Sequence, residues 1–376
     1  MRAVSMTGVQ GPDLRDFTLP ELTEWIEDWG EPPYRARQIF RWLWKGQIRD
    51  VSEMTDLPRA CREALSARAC LNPVSVVRVQ SSRDGTRKLL LQLSDGEAIE
   101  AVLIPEARRV TACISSQAGC AMECRFCLTA TMGLHRNLRP SEIAGQVSAL
   151  ASTLAPGKQM THIVLMGMGE PLANYAAMEK ALRILTTKAG FGFSPRRITV
   201  STVGLVPGIR RLARSGLGVN LAVSLTATTD EVRNHLVPIN ARYPLAELLQ
   251  ACREFPLPPR RRMTFEYVLM AGVNDHVDDA HRLAKLLRGI RCKVNLIPLN
   301  EAPEIPFHRP VRQRIEAFQK ILERAGYIAT IRESRGQDIS AACGMLATAE
   351  GSLDSARSIP YTPECGVEQF GSSLGS

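Results

Sequence analysis

Three cysteines stand within eight residues, in the run Cys120-Ala-Met-Glu-Cys124-Arg-Phe-Cys127. Soft thiolates at this density select iron–sulfur clusters, zinc or Cu(I). Structural zinc asks for four ligands, commonly in two pairs. Here the spacing is C-x3-C-x2-C, and no fourth Cys or His lies at finger distance. Three protein ligands on an iron–sulfur cubane leave one iron open to a small molecule. The spacing therefore favours a [4Fe-4S] cluster on Cys120, Cys124 and Cys127 over zinc, and Phe126 beside the last thiol fits the same picture.

Other polar and glycine-rich positions follow downstream. Met166-Gly-Met-Gly169-Glu170-Pro171 closes a strand-like run, and glycines there let backbone approach a ligand closely. As a bare motif it is also a tight turn leading into a helix. Ser201, Ser224 and Asn300 each end or follow an apolar β-branched run. Singly each reads equally as a helix cap; jointly they read as a ring of polar groups at strand carboxyl ends, where such folds bind ligands. Cys113 lies on a strand just before the cysteine run, and Cys343 lies in the polar loop Arg335-Gly-Gln-Asp-Ile-Ser-Ala-Ala-Cys343-Gly344. A lone cysteine is usually a small core hydrophobe.

These residues need a scaffold, and the periodicity supplies one. Thr18 with Glu21 makes a capping-box pattern ahead of an amphipathic stretch at 22–29. Helices are predicted at 34–45 and 58–69, and strands at 74–79, 88–93 and 98–104, split by Asp-Gly turns. From 110 onward strands (110–115, 162–166, 197–202, 218–225, 263–270, 293–298) alternate with helices (141–154, 175–188, 206–215, 245–255, 278–288, 310–324). Six such units argue an α/β fold with a parallel sheet, open or curled into a partial barrel. A last strand is predicted at 328–332. The domains predicted are a helical module with the start of a β extension at 1–95, a core barrel with a catalytic loop at 96–348, and a disordered tail at 349–376 rich in Ser, Gly and Pro.

The chain has 376 residues and a net charge of +9. That excess suits a polyanionic partner, nucleic acid first, although a basic soluble enzyme would carry it too. Arg108-Arg109, Arg136, Arg139, Arg196-Arg197, Arg210-Arg211 and Arg260-Arg261-Arg262 are candidate phosphate contacts. Trp42 and Trp44 read as packing residues of the helical module rather than base-stacking ones. No run approaches a membrane span of about 20 apolar residues, and no secretory signal is seen, so the expected compartment is the cytoplasm. Ten cysteines in such a chain point to metal or catalytic groups rather than disulfides.

C-x3-C-x2-C after the first strand of a βα barrel resembles the radical S-adenosylmethionine (SAM) superfamily. The stretches around Glu100-Ala-Val-Leu-Ile-Pro, Cys113-Ile-Ser-Ser-Gln-Ala-Gly-Cys120, Arg136-Asn-Leu-Arg, Leu236-Val-Pro-Ile-Asn, Asn295-Leu-Ile-Pro and the Cys343 loop together resemble the RlmN/Cfr family of radical SAM RNA adenosine methyltransferases. The likeness spans about 18–348, including the 30–44 stretch of the accessory domain. It implies a partial (βα)6 TIM-like barrel with an N-terminal helical RNA-binding domain. It implies methylation of adenosine C2 in 23S rRNA and in tRNA, with a [4Fe-4S] cluster, two SAM molecules per turnover, an electron donor such as flavodoxin or ferredoxin, and a monomer.

Carried over by motif position, Cys343 accepts a methyl group, Glu100 takes the substrate proton, and Cys113 attacks Cys343 to release product and leave a disulfide. Gly169, Glu170, Ser201, Ser224, Leu225, Thr226 and Asn300 would contact SAM. The chain departs from the family in two places: Met168 replaces the first glycine of a Gly-Gly-Glu-Pro element, and Thr226 replaces a histidine after Ser224-Leu225. C8 methylation of the Cfr type uses the same two cysteines and is the nearest alternative. A non-catalytic iron–sulfur or zinc RNA-binding protein is another, but it would need neither Glu100 nor the extra thiols.

Overall fold

The computed structural model describes residues 11–46 and 48–348; the expected disordered tail lies outside them. The first α-helices among the described residues are α1 (Leu19–Glu27), α2 (Tyr34–Lys45) and α3 (Arg59–Arg68). The Glu21 carboxylate accepts the Thr18 backbone N–H at 2.7 Å, as the capping-box pattern requires. Helix α2 turns Ile39, Phe40, Leu43 and Trp44 inward and Arg37 and Arg41 outward.

An antiparallel meander follows: β1 (Ser75–Ser81), β2 (Arg87–Gln92), β3 (Ala98–Glu106) and β4 (Arg109–Cys113). The boundary expected near residue 95 falls in the β2–β3 turn, and both strands belong to one sheet. A small hairpin, β5 (Gln117–Gly119) with β6 (Leu134–Asn137), flanks the cysteine run and the short helix α4 (Leu128–Thr131).

The chain then alternates α5 (Pro140–Ala151), β7 (His162–Leu165), α6 (Tyr175–Thr186), β8 (Ile198–Thr202), α7 (Val206–Arg214) and β9 (Asn220–Ser224). It continues α8 (Asp230–Leu236), α9 (Leu245–Glu254), β10 (Met263–Leu269), α10 (Val277–Leu286), β11 (Cys292–Pro298), α11 (Arg312–Arg324) and β12 (Ile328–Ile331). Strands β4 and β7 to β12 run parallel in sequence order, joined by six helical crossovers. The sheet does not close, since β1 and β12 remain edges. Strands β10 and β11 are buried at all but one position each, as helices covering a parallel sheet dictate.

One apolar core runs from the helical module into the barrel. A second, smaller cluster, including Cys124, Leu236, Met270, Leu299 and Phe307, covers the carboxyl ends of the strands. The βα units fall within a few residues of their predicted bounds. Helices α4 and α8 and the β5–β6 hairpin were not foreseen, because they are short and carry no sustained period.

Candidate active site

Loops at the carboxyl ends of the parallel strands enclose a chamber. Cys120, Cys124 and Cys127 line it, with Gly169, Glu170, Ser201, Ser224, Asn300 and Cys343. The cysteine loop is curled tightly. Gly119 has φ +75°, and a Cβ there would lie 1.9 Å from the Gly133 carbonyl oxygen; the Cys120 N–H donates to that same oxygen at 2.7 Å. The Cys127 N–H donates to the Cys124 carbonyl at 3.1 Å, turning the third thiol toward the other two. Burial pushes the Cys120 thiol up to about 12 and Cys124 well above its ordinary value, and each feels charge on Cys127. Binding a metal must therefore displace protons.

The turn after β7 presses against β5 and the residues just before it, which lead into the cysteine loop. Gly169 has φ +94°, and a Cβ would meet Gln117 at 2.5 Å. The Glu170 carboxylate accepts the Leu172 and Val203 N–H groups at 3.0 and 2.8 Å. Burial nevertheless raises it to about 7. Met168, where the family pattern has glycine, is fully buried. Its sulfur accepts the Glu100 N–H at 3.3 Å, and its carbonyl accepts the Ser116 N–H at 2.8 Å.

Ser201 and Ser224 reach the chamber from β8 and β9. Leu225 and Thr226 do not line it: both are completely buried, since strand alternation turns Leu225 to the opposite face. Thr226 has φ +57°, a left-handed conformation costly for a β-branched residue. Its hydroxyl has no partner, while its carbonyl accepts from Asn274 Nδ2 at 2.6 Å. Asn300 lines the chamber and also donates to the Cys343 carbonyl at 3.0 Å, so it holds the C-terminal loop.

Cys343 sits on that loop. Its accessible surface is open, yet it is ringed by protein, because the surface it presents faces the chamber. The loop is tied to the cysteine run by Leu128 N–H to Gly344 at 2.8 Å and Thr129 Oγ1 to Leu346 at 2.6 Å. Cys113 ends β4 behind the chamber; burial pushes its thiol up to about 12, and it feels the charge of Cys343. Glu100, on β3, is also behind the chamber wall. Its carboxylate meets Lys88 Nζ at 2.8 Å and the Ala347 N–H at 3.1 Å.

Three groups escaped the sequence reading. Arg233, completely buried in α8, donates to the Leu225, Val203 and Ser224 carbonyls and to Asn240 Oδ1. Glu266 on β10 lines the chamber; Asn295 Nδ2 donates to one oxygen at 2.9 Å, and the other has no partner. Lys88 stands among the leucines of β2. No local signal marks these groups; each matters through contacts far along the chain.

The basic runs are scattered. Arg260, Arg261 and Arg262 precede β10 and line a cleft with Arg291 and Tyr327 at the strand amino ends, opposite the chamber. Arg136 and Arg139 lie on the cysteine-loop side but are paired with Glu142. Trp44 is buried, and Trp42 Nε1 donates to Asp56.

An open three-thiol set at the carboxyl end of a (βα)6 sheet is the site of a radical SAM enzyme. Residues 114–287 match the radical SAM superfamily, and residues 12–71 match the ribosomal RNA large subunit methyltransferase N-terminal domain. A dual-specificity RNA methyltransferase RlmN of Syntrophus aciditrophicus (strain SB) is 52% identical over 89% of this chain and 96% of its own length. The protein of the same name in Syntrophobacter fumaroxidans is 49% identical over 90% and 98%. A crystal structure of a radical SAM methyltransferase from Sphaerobacter thermophilus superposes with a TM-score of 0.85 at 50% identity, covering 89% of this chain and 99% of that one. The chain belongs to the RlmN family of radical SAM methyltransferases.

Family membership implies SAM and a [4Fe-4S] cluster. The donor set fits: three thiols, Cys120 and Cys124 buried and Cys127 partly so, share one chamber with polar groups from several strand ends. Among the described residues no three His, Cys, Asp or Glu side chains already form a finished metal cage.

Proposed function

We propose that this enzyme methylates C2 of an adenosine in 23S rRNA and in tRNA. The carrying observation is the placement of two further thiols beside the three-thiol set, Cys343 on the chamber wall and Cys113 close behind it. An adenine C2–H is neither acidic nor nucleophilic, so direct methyl displacement cannot reach it. A covalent carrier that is later cleaved by a second thiol can. The RlmN name of relatives near 50% identity, and the matching N-terminal domain, favour C2 over C8.

Cys120, Cys124 and Cys127 hold the cluster, and Gly169, Glu170, Ser201, Ser224 and Asn300 form the wall against SAM. When bound, cluster and SAM together would supply the radical chemistry that removes a hydrogen atom from the carrier methyl group. Cys343 first takes a methyl group from one SAM by displacement, so each turnover consumes two. After hydrogen-atom removal the Cys343 thiomethylene radical carbon bonds to C2. Glu100 accepts the C2 proton and the adduct's odd electron leaves to a one-electron acceptor, a role the cluster would fill, so that a closed-shell thioether remains. Cys113 then attacks the Cys343 sulfur, the S–CH2 bond breaks, the carbon takes a proton to become methyl, and a Cys113–Cys343 disulfide remains for reduction. A flavodoxin or ferredoxin supplies electrons, the three-helix module contacts RNA, and the enzyme works as a cytoplasmic monomer. No helix among the described residues is long and apolar enough to cross a membrane.

The test is anaerobic reconstitution with SAM, reductant and unmodified RNA, followed by nucleoside mass spectrometry. The parent should yield 2-methyladenosine and Cys343→Ala none. Cys113→Ala should accumulate RNA covalently attached to the protein. Product co-migrating with 8-methyladenosine would overturn the regiochemistry.

A further inference from the structure

We propose that Lys88 is a positioning residue that holds Glu100 ionised and aimed for proton transfer. The inference rests on the reading of Glu100 as the proton acceptor. Lys88 and Glu100 project from the same face of neighbouring antiparallel strands, since Lys88 pairs with Val102 and Leu90 with Glu100. Nζ lies 2.8 Å from Oε1, and the side chains are 8% and 6% exposed. The other carboxylate oxygen accepts the Ala347 N–H at 3.1 Å, and Lys88 Nζ also reaches the Ser340 carbonyl at 3.4 Å. One ion pair thus fastens the base to both sides of the loop that carries Cys343.

Stability does not account for this lysine. It sits beside Leu89, Leu90 and Leu91 in a buried strand, and a buried ion pair seldom outperforms apolar residues of equal volume. It does account for reactivity. A carboxyl group buried alone takes up a proton, and a protonated acid cannot accept another. Burial is the largest influence on Glu100 and acts to raise it; Lys88 is the main opposing influence, with the Ala347 N–H and Arg78 acting in the same sense as Lys88. In turnover the carboxylate gains the C2 proton and becomes neutral, while Lys88 acts only through its contact with that carboxylate.

The experiment compares reconstituted parent, Lys88→Met, Lys88→Arg, Glu100→Gln and the Lys88→Met/Glu100→Gln double variant. Single-turnover 2-methyladenosine formation is followed across pH, with 5′-deoxyadenosine release and RNA affinity measured alongside. Lys88→Met should slow methylation at least about tenfold near pH 7 and move the acid limb up by about one unit or more. Deoxyadenosine release and RNA affinity should hold. Lys88→Arg, which keeps the charge, should restore the parent's pH profile. The double variant should be no slower than Glu100→Gln alone. A uniform loss with an unmoved acid limb, or independent losses in the double variant, would overturn the proposal. If Lys88→Met fails to fold, Lys88→Arg and the uncharged double variant decide it by the same readouts. A parent that makes no 2-methyladenosine refutes the proposed function instead.

Discussion

Glu266 is a carboxylate that the fold leaves half satisfied. It is 5% exposed, one oxygen has no partner, and burial raises its pKa against the pull of Arg332. A folded-state value above the unfolded one gives stability that is present at low pH and lost as pH rises through the raised value. Unfolding free energy of the cluster-free protein should therefore lose a Glu266 contribution as pH rises from the acid range to neutrality, and Glu266→Gln should flatten that fall between about pH 4 and pH 8. Denaturant titrations at the two pH values would show it; an unchanged slope would clear Glu266 of the effect. Gly169 is constrained in another way, by φ +94° and by Gln117 at 2.5 Å from any Cβ, including contact with its backbone. Gly169→Ala should cost about 1–3 kcal/mol in strain and weaken SAM binding, read by calorimetry on the reconstituted enzyme.

Element by element, the chamber depends on pieces too short to announce themselves. Helix α8 spans only seven residues, yet it delivers Arg233 under the carboxyl ends of β8 and β9. Burial lowers this guanidinium to about 10, and four acceptors surround it. Arg233→Met should cost about 3–5 kcal/mol, because those acceptors would stay buried without donors. Lysine should rescue little, since it lacks the planar fork. Thermal unfolding of the three proteins is sufficient to decide. The same network explains why Thr226 stands apart from the chamber. The chain leaves β9 in a left-handed turn whose carbonyls are claimed by Arg233 and Asn274.

At the scale of the molecule, the helical module and the barrel share one core. Trp44 meets Phe191 with ring centroids 5.4 Å apart, Glu21 pairs with Lys180 at 2.9 Å, and the Asp16 carboxylate accepts the first free N–H of α5 from Ser141 at 2.9 Å. Docking of this kind couples the two units. Trp44→Ala should cost about 3–5 kcal/mol and lower the melting point of the whole protein in one transition, seen by calorimetry. Two separated transitions would mean that the module folds and melts alone. The C-terminal loop adds a second coupling: Gly336 N–H to Asp84 at 3.0 Å and Ser82 Oγ to Asp338 at 2.6 Å join residues some 250 apart in the chain.

Much of this was legible in the residues themselves. Alternation of β-branched runs with helical periods located all six crossovers, because period depends only on which face is buried. The spacing of Cys120, Cys124 and Cys127 named the cofactor class, because ligand count and softness are properties of residue type. What tertiary structure alone decided are relations between distant segments. Cys343 comes to the chamber of Cys120, Cys124 and Cys127 only through Asn300 and the cysteine loop. Lys88 finds Glu100 only through strand register, and Arg233 its carbonyls only through the packing of α8. Thr226 leaves the chamber because a backbone turn points it elsewhere, and Arg260 to Arg262 lie on the far rim because β10 begins there. Local chemistry can be read along a chain. Convergence depends on burial and hydrogen bonds formed across hundreds of residues, which appear only once the chain has folded.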